Sequence, residues 1–290
     1  MRHERWKNIV MVILLLVLFA FNLNGIADAI QVSNKTTSEP LVPIIMYHHV
    51  KSSQPGKDSI TQSEFEDDLK YLQKNNYNTI TMQDLIDYVY NDGELPENPI
   101  ILSFDDGLLS TYLNVYPLLQ QYNMKVVLSI LGLSSEKFSK TVDININYSH
   151  ATWDQLNEMQ ASGLVEIQNH SYDMHNTTNG RYGSSQKKNE SFEAYETYLT
   201  EDITLFNEKV NLALKTIPNT FTYPYGKYND NSETILKDLG FKATLTCNFG
   251  INVISKDKDC LYELKRICRA HNQSIETVLT EGMKTIKKIN

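Results

Sequence analysis

Pro99-Ile100-Ile101-Leu102-Ser103-Phe104-Asp105-Asp106-Gly107 is the stretch that decides how this chain folds. A proline opens it, a nearly unbroken apolar run follows, and two carboxylates and a glycine end it. That pattern reads as a buried strand over 100–104 that delivers acidic side chains to its C-terminal end. Outward from it, the same unit recurs. Toward the C-terminus a helix is expected around 110–122, then a strand at 125–130. After a loop comes a helix from Thr152 to about 160, with Gln155 completing a capping box, and then a strand at 164–168. Residues 169–190 form a polar loop, and a long helix spans 191–214. A strand at 219–223, a helix at 231–239 stopped by Gly240, strands at 241–246 and 262–267, and a final helix at 274–288 complete that side.

Toward the N-terminus, 41–47 is the first strand. Ser63 and Glu66 read as a capping box before Phe65, Leu69 and Leu72 at helical spacing. A short strand at 79–81 and a helix at 82–90 follow. Strands and helices in alternation imply an α/β fold with parallel strands. No glycine-rich dinucleotide fingerprint follows any strand, so the expectation is a barrel, a deformed (β/α) barrel of seven to eight parallel strands in a single catalytic domain over 43–290.

The 290 residues are ample for one such domain. Arg2, Arg5 and Lys7 precede an uninterrupted apolar stretch over 9–21, and Ala27-Asp28-Ala29 supplies a small-x-small cleavage pattern. Residues 1–29 therefore read as a signal peptide, with an uncleaved anchor as the alternative, and 30–42 as a linker. The apolar stretch covers roughly 20 Å as a helix, short of a bilayer core of about 30 Å. The expected location is extracellular, secreted or at the cell surface, as a monomer. The chain carries a net charge of −8, and −9 without residues 1–29, which leave 24 Lys and Arg against 33 Asp and Glu. That balance argues against nucleic acid as partner. Cys247, Cys260 and Cys268 have no metal-type spacing; one disulfide with a spare thiol and three thiols are both compatible with it.

Barrel enzymes carry their catalytic groups at the C-terminal ends of the strands. Here those ends hold Tyr47-His48-His49, Asp105-Asp106-Gly107, Asn169-His170 with His175 five residues on, Tyr223-Pro224-Tyr225-Gly226, and Arg266. Each has an ordinary explanation alone: a turn, a solvated loop histidine, a strand cap. Their convergence on one rim is what points to chemistry. Two histidines and one carboxylate are a standard donor set for a divalent metal with open positions, with Asp106, His170 and His175 as candidates. Asp105 remains as general base. Neighbours in a strand face opposite ways, so both aspartates reach one pocket only if the backbone turns, which Gly107 permits.

At these residues the sequence resembles the polysaccharide deacetylase family, carbohydrate esterase family four. Ser103-Phe104-Asp105-Asp106-Gly107 is similar to that family's first motif, which implies Asp105 as base and Asp106 as metal ligand. His170-Ser171-Tyr172-Asp173-Met174-His175 resembles the second, with the five-residue histidine gap of the branch acting on poly-N-acetylglucosamine. Phe221-Thr222-Tyr223-Pro224-Tyr225-Gly226 resembles the third, whose tyrosine backbone N–H helps hold the oxyanion, here Tyr225. The arginine usual in that motif is replaced by Thr222, and Arg266 is the candidate to orient Asp105 instead. The usual late general-acid histidine motif is missing, and His271 lies outside any such context. Met46-Tyr47-His48-His49-Val50 resembles the early motif of a circularly permuted branch, which assigns the acid to His48 before His49.

The resemblance implies hydrolytic removal of N-acetyl groups from a polysaccharide, with poly-N-acetylglucosamine first. It also implies a zinc site for which cobalt, nickel or iron would serve. Tyr225, Tyr172, Tyr47 and Trp153 are the candidate substrate-binding residues, with Tyr182 as a further sugar-stacking face. Rival readings are a peptidoglycan or chitin-like N-deacetylase, a xylan O-acetyl esterase and a glycosidase; adjacent Asp105 and Asp106 fit the last poorly, since its carboxylates must face each other across a sugar. A rival of another class is a non-catalytic wall carbohydrate-binding protein.

Overall fold

The computed structural model describes residues 39–51, 56 and 59–286. The signal read at 1–29, and the linker as far as residue 38, lie outside the described residues. In chain order the strands are β1 (Leu41–Val42), β2 (Ile44–Tyr47), β3 (His49–Lys51), β4 (Ser59–Thr61), β5 (Asn78–Thr79) and β6 (Pro99–Phe104). They continue with β7 (Val126–Ile130), β8 (Val165–Asn169), β9 (Thr220–Thr222), β10 (Ala243–Phe249), β11 (Asn252–Val253) and β12 (Leu264–Cys268).

Seven of these close into a parallel ring in the order β2, β12, β10, β9, β8, β7, β6 and back to β2. The expected deformed barrel is thus present, and closure leaves the ring no open edge. β5 pairs with the start of β6 at Pro99 and Ile100, below the point where β7 takes over at Ser103 and Phe104. Outside the ring, β1 pairs with β11 antiparallel and β3 with β4 parallel.

Alternate residues of each strand go to different cores. Ile44, Ile101, Val127, Leu245 and Leu264 cluster with Met82, Leu85, Ile86 and Val89 of the helix Met82–Tyr90. Ile45, Leu102, Leu128 and Ile267 cluster instead with Phe65, Leu156, Phe206 and Val278 of the surrounding helices. The first set fills the ring and the second faces outward. Helix Met82–Tyr90 closes the N-terminal mouth: its Met82 and Gln83 N–H groups donate to Glu166 beside the start of β8, at 2.8 and 2.9 Å. Two residues further along the inward face, apolar gives way to polar. Ser103 follows Ile101, Ser129 follows Val127, and Arg266 follows Leu264, all fully buried. The ring is therefore plugged below and polar above.

Local differences from the sequence reading have identifiable causes. The helix Gln62–Lys74 is capped by Thr61 and Glu64, not Ser63 and Glu66, in a complete capping box. Thr61-x-x-Glu64 fits the same pattern two residues earlier, and Ser63 sits in the first turn. The helix read at 110–122 is a π-turn over Thr111–Val115 followed by an α-helix over Tyr116–Tyr122. Pro117 lacks an N–H to bond within the helix, which breaks the regular ladder there. The helix Gly132–Lys140 was read as loop; Leu133 and Phe138 are its only large apolar residues, too few to set up a period.

Candidate active site

The C-terminal ends of the ring strands open on a cavity of about 390 Å³ lined by His48, Asp105, Asp106, His170, His175, Tyr225 and Cys247, among others. A larger crevice of about 640 Å³ lies near Tyr77, Asn123 and Lys125. It holds none of these histidines, so the smaller cavity is where the chemistry collects.

β6 brings Asp105 up the inside of the ring, where it is 2% exposed. Beneath it stands Arg266 of β12, 1% exposed and the largest fully buried side chain. A buried guanidinium must satisfy its five N–H groups, and Arg266 does. Nε donates to the Thr246 carbonyl at 2.7 Å, and Nη1 to Asp105 Oδ1 at 2.7 Å and Ser103 Oγ at 3.3 Å. Nη2 donates to Asp105 Oδ2 at 2.9 Å and Cys247 Sγ at 3.8 Å. Burial alone would raise the Asp105 pKa, but the Arg266 guanidinium paired with it outweighs burial and holds the carboxyl well below the usual carboxylate range. His48 Nε2 faces the same carboxylate from the far side, 3.9 Å from Oδ2.

The chain then turns so that the next side chain joins the same cavity. The turn starts at Asp106 itself, with φ +72°, and continues through Gly107 at +70°. Asp tolerates the left-handed region better than most residues. At Gly107 a Cβ would also come within 2.9 Å of Ile130 Cγ2. Asp106 Oδ1 lies 3.6 Å from His170 Nε2 and 3.6 Å from His175 Nε2. The three donor atoms lie within 4.8 Å of one another, and Asp106 Oδ1 is buried without a hydrogen-bond partner.

His170 is presented by β8 with its Nδ1 against the Thr222 carbonyl at 2.8 Å. That oxygen can only accept, so Nδ1 carries the proton and Nε2 turns a lone pair on the cavity. Burial lowers the pKa of His170, favouring the neutral ring. The segment between the two histidines is fixed by Asp202 of helix Phe192–Leu214, which accepts the Tyr172 and Asp173 N–H groups at 2.7 and 2.8 Å. His175 stacks on Tyr225, with ring centroids 4.1 Å apart. Tyr225 lies on the short turn after β9 at φ +57°.

The structure thus brings together Asp105, Asp106, His170, His175, His48, Arg266 and Tyr225. It does not bring Tyr47, Tyr172 or Trp153 to the cavity. Tyr47 is 2% exposed, packs on Phe65 and Phe104, and donates its hydroxyl to Asp68 at 3.1 Å. Tyr172 packs against the core and donates to Glu136 at 2.8 Å. Trp153, at the first position of its helix, packs against the same core. His271 is away from the cavity, paired with Glu64 at 2.8 Å. Sequence reading missed Cys247, Lys51 and Ser59 in the lining. The strand 241–246 was ended one residue short of Cys247, and the β3–β4 pairing that brings Lys51 and Ser59 in is only three residues long.

The family model for polysaccharide deacetylases matches residues 92–244. The chain belongs to the polysaccharide deacetylase family. It is 27% identical over 198 residues to the poly-β-1,6-N-acetyl-D-glucosamine N-deacetylase of Staphylococcus aureus (strain MRSA252), covering 68% of this chain and 64% of that protein. It is 25% identical over 252 residues to the enzyme of the same name from Escherichia coli (strain K12), covering 80% of this chain and 37% of that one. The match therefore spans less than two thirds of either relative. In fold, it resembles a Streptococcus pyogenes deacetylase, PplD, solved in complex with acetate. The TM-score is 0.69 at 22% identity, over 84% of this chain and 99% of the other.

Proposed function

We propose that this chain is a metal-dependent hydrolase that removes N-acetyl groups from a cell-surface polysaccharide, with poly-β-1,6-N-acetylglucosamine as substrate. One observation carries the reading: Asp106, His170 and His175 present three donor atoms within 4.8 Å of one another, with a buried, unpartnered carboxylate oxygen among them. That donor set fits a divalent cation, zinc first, with cobalt, nickel or iron as alternatives. When bound, the cation supplies a Lewis acid that polarises the acetamide carbonyl and acidifies water.

The protein's own groups account for the proton traffic. Asp105, kept ionised by Arg266, takes the proton of the attacking water as its oxygen joins the carbonyl carbon. The Tyr225 backbone N–H receives the oxyanion. His48, which lines the cavity with its Nε2 3.9 Å from Asp105, gives a proton to the nitrogen as the C–N bond breaks. Acetate and a glucosamine amine are the products. The two named relatives carry this polymer in their names, and the export signal read at 1–29 supports a reaction outside the membrane. No helix among the described residues is long and apolar enough to cross one.

Acetate release from N-acetylglucosamine oligomers, β-1,6- against β-1,4-linked, tests the reading. Release from the β-1,6 series that is abolished by a chelator, restored by zinc and absent in Asp105→Asn is expected. Release from the β-1,4 series alone would move the substrate to a peptidoglycan or chitin-like polymer, and chelator-resistant release would overturn the metal site.

A further inference from the structure

The irregular loop over 181–190 is anchored at several points and carries one exposed aromatic ring. Residues 181–190 contain no helix or strand, so holding them in one conformation costs entropy that contacts must offset. Arg181, 6% exposed, donates Nη1 to the Ser185 carbonyl at 2.7 Å and to Glu190 Oε2 at 3.0 Å, and Nη2 pairs with the other Glu190 oxygen. Its guanidinium also lies 3.8 Å from the centroid of the Tyr198 ring. Ser184 is tied twice, by its hydroxyl to the Lys227 carbonyl at 3.2 Å and by its own carbonyl to the Tyr195 hydroxyl at 2.7 Å. Gly183 presses on the Pro224 turn so closely that a Cβ would meet the Pro224 carbonyl oxygen at 2.7 Å. Between the buried Arg181 and the buried Gly183 stands Tyr182, 48% exposed.

The Tyr182 ring rests on Tyr225 with centroids 4.7 Å apart, and Tyr225 rests on His175 at 4.1 Å. Tyr225 lines the cavity, and Tyr182, which does not line it, packs on Tyr225 one ring further away. We infer that Tyr182 is the stacking platform for the sugar next to the one that loses its acetyl group, and that Arg181 is the positioning residue that holds it there. A pyranose offers an apolar C–H face, and a half-exposed aromatic ring complements it without needing a fixed hydrogen-bond pattern; Lys227 Nζ lies 6.0 Å from the centroid of the Tyr182 ring. The polymer would then be gripped on both sides of the reacting unit: by the cavity at the acetamide and by Tyr182 along the chain.

This inference rests on the deacetylase reading above, and its test separates the two. Acetate release is measured on the N-acetylglucosamine monosaccharide and on a β-1,6-linked pentamer, with wild type, Tyr182→Ala, Tyr182→Phe and Arg181→Gln. The expected result is a fall in the pentamer-to-monosaccharide ratio of kcat/KM by about three- to tenfold in Tyr182→Ala, the size of one aromatic contact. The fall is carried by KM rather than kcat, with Tyr182→Phe near wild type. Arg181→Gln lowers the same ratio, which loss of folded protein alone would not move because it scales both substrates equally. A ratio unchanged in Tyr182→Ala overturns the platform. Wild type that releases acetate from neither sugar overturns the deacetylase reading instead.

Discussion

Two buried aspartate–arginine pairs, built from the same residue types and both using arginines near the end of β12, serve different ends. Asp105–Arg266 stands inside the ring, and Asp68–Arg269 stands outside it, where the helix Gln62–Lys74 packs. At Asp68 every direction is filled by the protein. Arg269 Nε and Nη2 reach its two oxygens at 2.9 to 3.1 Å, and the Tyr47 hydroxyl adds a third donor at 3.1 Å. Burial, with Asp68 beside it, pushes that hydroxyl well above its ordinary pKa, so it remains a donor. At Asp105 the arginine fills one side alone. The other side opens on the cavity and faces His48 at 3.9 Å. Both carboxylates are paired with an arginine, but burial prevails at Asp68, whose pKa rises to about 6, whereas the guanidinium prevails at Asp105, which also has one side open to the cavity.

Single substitutions test that contrast. Asp105→Asn keeps the size of the side chain but removes its basicity, and the expected loss of acetate release is about 10²- to 10⁴-fold. Asp68→Asn leaves the cavity intact and retains acetate release per folded molecule. Both leave a buried guanidinium short of its charge, a defect worth about 3–5 kcal/mol where nothing compensates it, so both lower the thermal midpoint. Activity measured well below that midpoint separates the two. An inactive yet stably folded Asp68→Asn, or an active Asp105→Asn, would break the comparison.

The same contrast explains what the sequence could and could not disclose. Strand-end residues were legible because a buried apolar run that stops at Asp105-Asp106, or a strand that alternates apolar and polar up to His170, announces where its polar groups emerge. Arg266 was legible as well, as a strand-end cation able to replace the arginine whose place Thr222 takes in the third motif. Of the aromatic candidates Tyr225 lines the cavity, whereas Tyr47, Tyr172 and Trp153 point elsewhere. Tyr47 adjoins His48 on one strand, and alternation alone sends it to the opposite face; the structure finds it on the helix side with Phe65. Tyr172 follows Ser171, whose φ of +86° redirects the chain, and no residue type there signals such a turn. The Arg181–Glu190 clamp closes within an irregular loop that has no hydrophobic period to read, and Cys247 beside Arg266 depends on contact between two separate strands, for which local pattern carries no information.

Glu166 supplies the smallest and most specific test, because it is a carboxylate sheltered without an arginine. Its oxygens accept the Met82 and Gln83 N–H groups at the start of a helix, yet burial outweighs those bonds and raises its pKa to about 7, against 4.5 for a free glutamate. A carboxyl whose pKa is higher in the folded than in the unfolded state binds its proton more tightly when folded. Its contribution to stability is therefore complete below about pH 4.5 and is lost as the pH rises through 7. With some solvent access to the group, the loss is about 1–2 kcal/mol. Glu166→Gln, which carries no titrating proton, should flatten the decline in thermal midpoint between those pH values while leaving the profile outside them parallel to wild type. An unchanged slope would mean that the two backbone donors and the helix N-terminus hold Glu166 as an anion as effectively as Arg266 holds Asp105.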